Sequence, residues 1–451
     1  ARPARGRRLR TPEPPPGAAS RGPRPPRPTT AKMPKITPRT LKGFRDFLPT
    51  QMIPREALIE TARRVYRFYG FVPIETPTLE YEEILLGKGG GESDRQMFRF
   101  EDHGGRRVAM RFDLTVPFAR FAAQHIGKLG TPFKRYHIGT VWRGENPQRG
   151  RYREFMQCDF DTIGTESLAA DAETVLVAHD LLQALGIERF TVRLNNRKVL
   201  TGFLERLGLL GKTGPVLRAL DKFDKVGPDG VRQELLGAEA GLDETQADGV
   251  LALAQVAGSL DEVLAQLGPL VEGSEVGGKG VQELQEILSH LRTAGVDDQR
   301  LSIDVSIARG LDYYTGTILE TVLDDLPGSG SVLSGGRYDD LATLYTKQPL
   351  PGIGASLGWD RLLAALEELG LTADAKTTAA VFLPLFDPAQ LGATQKLARD
   401  LRAAGIGAEV YPEARKLAQQ LKYADQQGFR FAVLLGQQEM ERGICQLQEL
   451  A

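Results

Sequence analysis

Residues 133–164 restrict the possible folds of this chain more than any other segment. They contain two extended, alternating stretches, at about residues 135–143 and 153–163, and the loop between them carries an Asn-Pro pair and Gly150. Such residues mark a turn between regular elements. The sequence therefore predicts a β-strand, a loop and a second β-strand that pair in antiparallel fashion.

The predicted pair would gather polar side chains on one face, because side chains alternate between the two faces of a sheet. On the second strand, one face holds Phe155, Gln157, Asp159 and Asp161, and the other holds Met156, Cys158, Phe160 and Thr162. On the first strand, the residues that share a face are Gly139, Val141, Arg143 and Glu145. A guanidinium, an amide and two carboxylates could thus converge.

The loop between the strands carries Arg149, Arg151 and Arg153. A guanidinium suits a phosphate because its planar fork donates two parallel, charge-assisted hydrogen bonds. We therefore expect an anionic ligand on the sheet, with carboxylates nearby for an ammonium group or a metal. The alternative, a surface hairpin with solvated charges, explains single residues but not a whole set on shared faces.

Length and composition indicate a globular protein of several domains. A chain of 451 residues usually exceeds one hydrophobic core, so two or three domains are expected. No apolar run approaches the ~20 residues that cross a bilayer. Cys158 and Cys445 are too few for a disulfide framework, which favours a reducing, cytoplasmic location. The five histidines lack ligand spacing, so no metal site is predicted.

Residues 1–32 differ in composition from the rest of the chain. They hold nine prolines and nine of the 57 Lys and Arg residues, but only one of the 58 acids. We expect a disordered Arg/Pro-rich leader, with Met33 as the true start, since the prolines oppose the amphipathic helix of a transit peptide. The remainder has an acidic excess, so a nucleic-acid partner would need local basic patches.

The next segments predict a mixed α and β domain. Residues 54–69 have helical spacing, and residues 71–81 are extended but contain Pro73 and Pro77, which suits a sheet edge or a subunit contact. Further elements are a hairpin at residues 97–100 and 107–112, a helix from Val116, a helix at residues 168–185 and a strand at residues 190–195.

Residues 197–300 are predicted to be a separate helical insertion. Within them, residues 211–300 hold 16 acids against 8 Lys and Arg residues, so most of this surface should repel phosphate. A strand is expected at residues 301–307, a Gly-rich turn at residues 334–341, and a strand leading into a helix at residues 351–369.

Residues 377–451 predict a separate β-α-β-α-β unit with strands at residues 379–385, 407–411 and 431–435. Strands that alternate with helices are typical of a small, largely parallel sheet with helices packed on it.

Two nucleotide-binding motifs are excluded. Gly211-Lys212-Thr213 matches the end of a P-loop, but the glycine required five residues earlier is Arg206. No G-x-G-x-x-G opens a βαβ unit near the start, so a dinucleotide fold is not expected.

The run from Arg309 to Tyr314 is more informative. An arginine beside Gly310 can approach a ligand closely, and the hydroxyls of Tyr313 and Tyr314 can close a polar pocket. The alternative is a turn with a surface arginine.

With these motifs together, the chain resembles the histidyl-tRNA synthetase family of class II aminoacyl-tRNA synthetases from about Leu41 to its end. Trp142 to Asp161, WRGENPQRGRYREFMQCDFD, is similar to motif 2 of class II, and ARGLDYYTG narrows the resemblance to the histidine branch. The other matching stretches are TPTLE (motif 1), FDLT, GGRYDDL and GIGASLGWDRL (motif 3).

The resemblance implies an α+β class II synthetase core, an antiparallel sheet flanked by helices. This core would comprise residues 33–196 and 301–372. It implies that residues 197–300, the helical insertion, clasp the tRNA acceptor stem and that residues 377–451 form a C-terminal α/β anticodon-binding domain. The family usually continues into one more helix beyond the position of Ala451, so we expect this last domain to be shortened.

The resemblance also implies roles in binding ATP. Arg143 would hold the α-phosphate, Arg361 the γ-phosphate and Glu145 the adenine edge. Arg309 would be the catalytic arginine, together with Arg143, and Mg²⁺ would bridge the phosphates.

For L-histidine, the implied contacts to the α-amino group and carboxylate come from the FDLT and motif 2 stretches, and those to the imidazole from two tyrosines. The first group of contacts comprises Asp113, Leu114, Thr115, Gln157 and Asp161. The second group, for the imidazole, comprises Tyr313 and Tyr314. Gln148 would contact tRNA(His) at its extra 5′ guanosine.

The implied activity is formation of histidyl-adenylate and transfer of histidine to the 3′ end of tRNA(His), by a cytoplasmic homodimer without a membrane partner. Two alternatives remain. A silent paralogue such as a regulatory subunit of ATP phosphoribosyltransferase typically lacks both RGLDYYTG and the anticodon domain. A sensor of uncharged tRNA would be expected to carry a kinase domain and a decayed site.

Overall fold

The computed structural model describes residues 36–86, 96–147, 150–220, 222–307, 313–372 and 375–450. The chain divides into two units, residues 1–40 and residues 41–451. The described part of the first unit, residues 36–40, forms no helix or strand. All helices and strands of the described residues belong to the second unit.

The strands of the described residues number fifteen: β1 (Val72–Pro73), β2 (Leu79–Tyr81), β3 (Arg99–Glu101), β4 (Arg107–Met110), β5 (Phe133–Trp142), β6 (Glu154–Ile163), β7 (Phe190–Asn196), β8 (Leu301–Ile303), β9 (Thr317–Leu323), β10 (Leu333–Arg337), β11 (Gly352–Gly358), β12 (Val381–Leu383), β13 (Ala408–Val410), β14 (Phe431–Leu434) and β15 (Gln446–Glu449).

The α-helices are Pro49–Phe68, Glu82–Leu85, Thr115–Leu129, Leu168–Ala184, Arg197–Arg206, Thr213–Leu220, Phe223–Leu236, Glu244–Ala254, Leu260–Leu270, Glu275–Thr293, Trp359–Glu368, Leu391–Ala403, Leu417–Gln427 and Gln437–Arg442. No helix of the described residues is long and apolar enough to span a bilayer.

An eight-stranded sheet with the order β1-β5-β6-β11-β10-β9-β7-β8 forms the centre of the fold. Its six inner strands pair in antiparallel fashion, and the short strands β1 and β8 are added in parallel at its two edges. The predicted antiparallel sheet is thus confirmed. So is the edge position expected from Pro73, because β1 contains it and an edge strand tolerates the missing N–H.

The predicted alternation on β5 and β6 is also confirmed. Gly139 lies opposite Gln157 and Val141 lies opposite Phe155, as the shared polar face requires. The other face, with Cys158 and Phe160, is buried against the helices. A continuous hydrophobic cluster on this side joins the sheet to Pro49–Phe68, Leu168–Ala184 and the helices between β7 and β8.

Residues 197–300 are helical in their described parts, as predicted. Leu200, Leu284 and Leu288 nevertheless belong to the same hydrophobic cluster as Phe190 and Val192 of the sheet. The insertion therefore shares its core with the sheet, and its limits as a domain stay a prediction.

The first predicted helix is confirmed except for its start, and one predicted turn was wrong. The helix expected at residues 54–69 begins earlier, at Pro49. A proline is favourable at the first helical position, because the N–H that it lacks would have no partner within the helix. Gly335 and Gly336 were expected in a turn but lie in β10. A Cβ at Gly335 would come within 2.2 Å of the Gly354 carbonyl oxygen, so close strand approach explains the glycine.

The C-terminal strands form a separate four-stranded sheet with the order β13-β12-β14-β15. The first three strands are parallel and are connected by helices, as predicted, while β15 pairs in antiparallel fashion with β14. The β-α-β-α-β prediction is confirmed, and β15 extends it.

Candidate active site

The polar face of the eight-stranded sheet opens into a cleft of about 370 Å³. A connected part of about 260 Å³ lies toward the start of the helix Trp359–Glu368. Both parts share Arg143, Glu145, Gln157 and Arg361. The larger part adds four more of the predicted site residues, Asp113, Thr115, Tyr313 and Tyr314.

Asp113 stands where the chain turns from β4 into the helix Thr115–Leu129. Its Oδ1 accepts a hydrogen bond from the Val116 N–H at 3.1 Å, which satisfies one of the free donors at the start of a helix. Its Oδ2 is buried and has no hydrogen-bond partner among the described residues. Burial raises the pKa of Asp113 to about 6. A cationic group placed against Oδ2 would restore full ionisation.

Gln157 presents a free acceptor at the middle of the cleft. Its Nε2 donates to Ser356 Oγ of β11 at 2.9 Å, which fixes the orientation of the amide. Within the part of the chain that the structure describes, the buried Oε1 accepts no hydrogen bond. An amino group of a ligand could therefore donate to it.

Asp161 is held by two buried partners. Arg135 Nη2 lies 2.6 Å from Asp161 Oδ2, and the Tyr338 hydroxyl donates to Oδ1 at 2.6 Å. Arg135 is fully buried, and the same Nη2 also donates to the Leu114 carbonyl oxygen at 3.2 Å. A buried guanidinium beside a carboxylate favours the ionised carboxylate.

Asp159 is the second carboxylate near Arg135, at 3.9 Å. Burial raises the pKa of Asp159 to about 7, and it also raises the pKa of Asp161. Because Arg135 is much closer to Asp161, the negative charge of the pair belongs mainly on Asp161.

Three tyrosines make the wall beside these carboxylates. The rings of Tyr313 and Tyr314 meet nearly edge to face, with centroids 5.2 Å apart, and Tyr313 contacts Tyr338 in the same manner at 6.1 Å. Edge-to-face contacts hold aromatic rings in fixed orientations. The pKa of each tyrosine is raised above its ordinary value, mainly by burial, so all three hydroxyls keep their protons.

The other end of the cleft carries half-buried groups on a loop and a helix. Arg143 Nε donates to the Phe112 carbonyl oxygen at 3.0 Å, and its guanidinium lies over the Phe155 ring. Arg361 lies in the first turn of its helix and donates to the Ser331 carbonyl oxygen. Glu145 lies 3.8 Å from Arg151. This end can receive a polyanion.

The remaining predicted residues have other positions. Leu114 and Asp161 are not among the residues that line the two parts of the cleft. Arg309 and Gln148 lie outside the described residues.

Four further residues of the site were not identified from the sequence. Arg135 and Tyr338 hold Asp161, Ser356 holds Gln157, and Glu320 lines the cleft. Arg135 could have been found, since it falls on the polar face when the alternation on β5 is followed back from Gly139. Glu320 and Ser356 lie on strands and Tyr338 directly follows one, all far from β6 in sequence, so alternation along β5 and β6 could not identify them.

Comparisons with known proteins agree with this geometry. A family model described as histidyl-tRNA synthetase matches residues 43–362, and a second model, described as anticodon binding domain, matches residues 379–451. The chain belongs to the histidyl-tRNA synthetase family. The family, the enzyme class of histidine–tRNA ligase and the presence of a C-terminal anticodon-binding domain, all predicted from the sequence, are therefore confirmed.

Curated histidyl-tRNA synthetase relatives are similar over nearly the whole chain. The histidine–tRNA ligase of Rhodopirellula baltica is 61% identical over 416 residues, which are 92% of this chain and 94% of that protein. The one from Wolinella succinogenes is 48% identical over 92% of this chain and 94% of its own length.

A crystal structure of histidyl-tRNA synthetase from Nostoc sp. PCC 7120 superposes with a TM-score of 0.83 at 36% identity, covering 92% of this chain and 95% of that one. The chain described above therefore has the fold of a histidyl-tRNA synthetase.

Proposed function

We propose that this chain activates L-histidine with ATP to give histidyl-adenylate and pyrophosphate, and then transfers histidine to the 3′ end of tRNA(His). The proposal rests mainly on one observation, which is a single cleft whose two ends carry chemically different side chains. Buried acceptors at the sheet end suit an amino acid, and half-buried arginines at the other end suit a triphosphate.

We assign the amino-acid end to histidine. The free oxygens of Asp113 and Gln157 would accept hydrogen bonds from the α-ammonium group, with Thr115 beside them. The imidazole would lie against Tyr313 and Tyr314, toward Asp161. A site built to hydrogen-bond an N–H rejects analogues without it, because its buried polar groups would stay unpaired.

At the nucleotide end, Arg143 would hold the α-phosphate, Arg361 the γ-phosphate and Glu145 the adenine edge. Arg309 is proposed as the catalytic arginine on the family motif alone. The histidine carboxylate attacks the α-phosphorus, the bond to the β-phosphate breaks, and pyrophosphate leaves. A carboxylate is already nucleophilic at neutral pH, so positioning and neutralisation of charge suffice.

Mg²⁺ would accompany ATP. Among the described residues, no group of three or more His, Cys, Asp and Glu side chains could hold a metal ion. The phosphates would therefore supply most of its ligands, while Glu145 and Glu320 line the same cleft. The ion would add neutralisation of phosphate charge.

Transfer of histidine needs tRNA(His) and a second set of contacts. Residues 379–451 would bind the anticodon, the helical residues 197–300 would clasp the acceptor stem, and Gln148 would contact the extra 5′ guanosine. We also propose a cytoplasmic homodimer. Apolar side chains stay exposed on β1, on β2 and at the end of the helix that precedes them, namely Phe68, Val72, Leu79 and Tyr81.

ATP–pyrophosphate exchange with each of the twenty amino acids, without tRNA, tests the first step. We expect exchange with histidine alone. No exchange with any amino acid, from a folded protein, would favour the silent paralogue. The second step is tested by comparing the rate at which histidine is attached to tRNA(His) with the rate for a tRNA that lacks the extra guanosine. Analytical sedimentation tests the proposed dimer.

A further inference from the structure

Arg45 lies outside the mechanism described above but contacts two walls of the nucleotide end. Its guanidinium forms an ion pair with Asp360 and stacks on the Tyr152 ring, with Cζ 3.5 Å from the ring centroid. Tyr152 and Asp360 both line the part of the cleft that contains Arg143 and Arg361. Arg45 itself precedes the helix Pro49–Phe68 and is far from both in sequence.

Asp360 connects three segments through its two oxygens. Oδ1 accepts from Arg45 and from Arg55 Nη1, the latter at 2.8 Å, and Oδ2 accepts from the Met156 N–H of β6 at 2.8 Å. Asp360 is buried and immediately precedes Arg361 in the first turn of its helix, where a negative charge is favourable. The start of this helix is thereby fixed against the sheet.

The backbone next to Arg45 is fixed against the loop between β5 and β6. The Arg153 N–H donates to the Gly43 carbonyl oxygen at 2.9 Å, and Arg153 Nε donates to the Glu145 carbonyl oxygen at 3.0 Å. Gly43 has a φ of +86°, and a Cβ there would lie 2.8 Å from the Arg153 side chain. Glycine is therefore required for this close approach.

We propose that Arg45 is a positioning residue for the nucleotide. By stacking on Tyr152 and pairing with Asp360, it sets the distance between the loop that carries Glu145 and the helix that carries Arg361. When the loop and the helix are already fixed in the free protein, less conformational entropy is lost on binding a flexible triphosphate. That the nucleotide is ATP rests on the proposed function. The contacts of Arg45 do not depend on it.

The test replaces Arg45 by methionine, which keeps much of the side-chain length but removes the charge and the planar stack. We expect the Kd for ATP, measured by calorimetry, and the KM for ATP in exchange to rise about tenfold, as for the loss of a partly buried cation–π and ion-pair contact. The KM for histidine should stay within twofold. Arg45→Lys, which keeps the charge, should recover part of the loss.

The matched control is Arg292→Met. Arg292 also joins two segments through acids, Asp261 and Asp298, and its side chain is 36% exposed against 27% for Arg45, but it lies in the helical region away from the cleft. Its replacement should leave the Kd for ATP unchanged.

A merely structural role for Arg45 would lower the melting temperature and the active fraction while the Kd and KM for ATP stayed at wild-type values, and that result would overturn the proposal. An equal rise in both KM values would also overturn it. If the wild type binds ATP but shows no exchange with histidine, the proposed function fails, while the ratio of ATP Kd values still decides the role of Arg45.

Discussion

The two ends of the cleft differ in how the protein holds its charges. At the amino-acid end, Asp113, Gln157 and Asp161 are nearly inaccessible and are held by strands or by the start of a helix. At the nucleotide end, Arg143 and Arg361 are half-buried and lie on a loop and a helix. Charges act strongly where water is excluded, so the first end should decide which amino acid reacts. The second should mainly orient the phosphates.

The largest expected effect comes from Asp161→Asn, which leaves the buried Arg135 with only the more distant carboxylate of Asp159, at 3.9 Å. Breaking a buried pair on one side costs roughly 3–5 kcal/mol. If most of that appears in the transition state, kcat/KM for histidine should fall about 10²–10³-fold. The Kd for ATP should change less than threefold. Exchange kinetics and calorimetry measure both.

The control for this variant is Asp298→Asn, which removes one partner of a surface ion pair with Arg292. Surface pairs contribute about 0–1 kcal/mol, so neither parameter should move. If Asp161→Asn weakened both substrates equally, the two ends of the cleft would not be separate in function.

The second variant is Gly354→Ala. A Cβ at this position of β11 would lie 2.2 Å from Asp161 Oδ1 and 2.6 Å from the Phe160 carbonyl oxygen. The Asp161 carboxylate and the adjoining backbone of β6 must therefore shift, at a cost of about 1–3 kcal/mol for such overpacking. We expect the KM for histidine to rise about tenfold with the Kd for ATP unchanged, as measured by the same assays.

Gly278→Ala provides a matched control, because a Cβ there meets nothing within 4 Å in the helix Glu275–Thr293. It should stabilise the fold by about 0.5–1 kcal/mol and leave both substrates unaffected. An unchanged KM for histidine in Gly354→Ala would mean that the sheet can shift to admit the methyl group.

Arg361→Lys addresses the nucleotide end. The positive charge remains, but the planar fork that can hold two phosphate oxygens is lost. We expect the KM for ATP to rise about fivefold to tenfold and the KM for histidine to stay within twofold, as measured by exchange. Arg218→Lys, at an exposed ion pair with Glu239, serves as control. A selective loss of histidine binding would contradict the assignment of the two ends.

The last prediction concerns stability. The pKa of Asp113 is about 6 in the folded protein, above its ordinary value of 3.8, because burial disfavours the charge. Its contribution to stability is therefore fully present below about pH 4 and is lost as the pH rises through 6. Asp113→Asn should raise the free energy of unfolding of the unliganded protein by about 1–3 kcal/mol at pH 7.5.

Urea unfolding between pH 5 and 8 measures this gain, which should shrink toward pH 5. Asn can still accept the hydrogen bond from the Val116 N–H, so the start of the helix is kept. The KM for histidine should rise in the same variant. A gain independent of pH would show that the charge of Asp113 is not what costs stability.

Much of the amino-acid end could be predicted from the sequence. Alternation alone placed Gln157, Asp159 and Asp161 on one face of β6, because the period of a strand is two, and the pairing with β5 puts Gly139 opposite Gln157. The position of Arg361 followed from a glycine-spaced strand running into a helix. Such predictions succeed where the signal lies within one hairpin or one strand–helix unit.

Other features could not be found in this way. The partners of Asp161 and Gln157 include Tyr338 and Ser356, which are nearly 200 residues away along the chain. The glycines of β10 were predicted to form a turn, because glycine is common in turns. Their actual reason is the close approach of the neighbouring strand, which the local sequence does not show. The contact between Arg45 and Asp360 could not be predicted either, since the two residues are 315 positions apart in the sequence.

The sequence by itself determined the family and the strand–loop–strand unit, and it supplied the types of side chain on which the proposed site rests, because these depend on local periodicity and on short motifs. Only the tertiary structure decided which groups are buried together. Asp113 and Asp161 are both buried and both have a raised pKa, but they differ in their neighbours, since Asp113 Oδ2 has no hydrogen-bond partner among the described residues while Asp161 has Arg135 and Tyr338. A charge acquires its chemical character from its neighbours and from the exclusion of water, and neither is written in the local sequence.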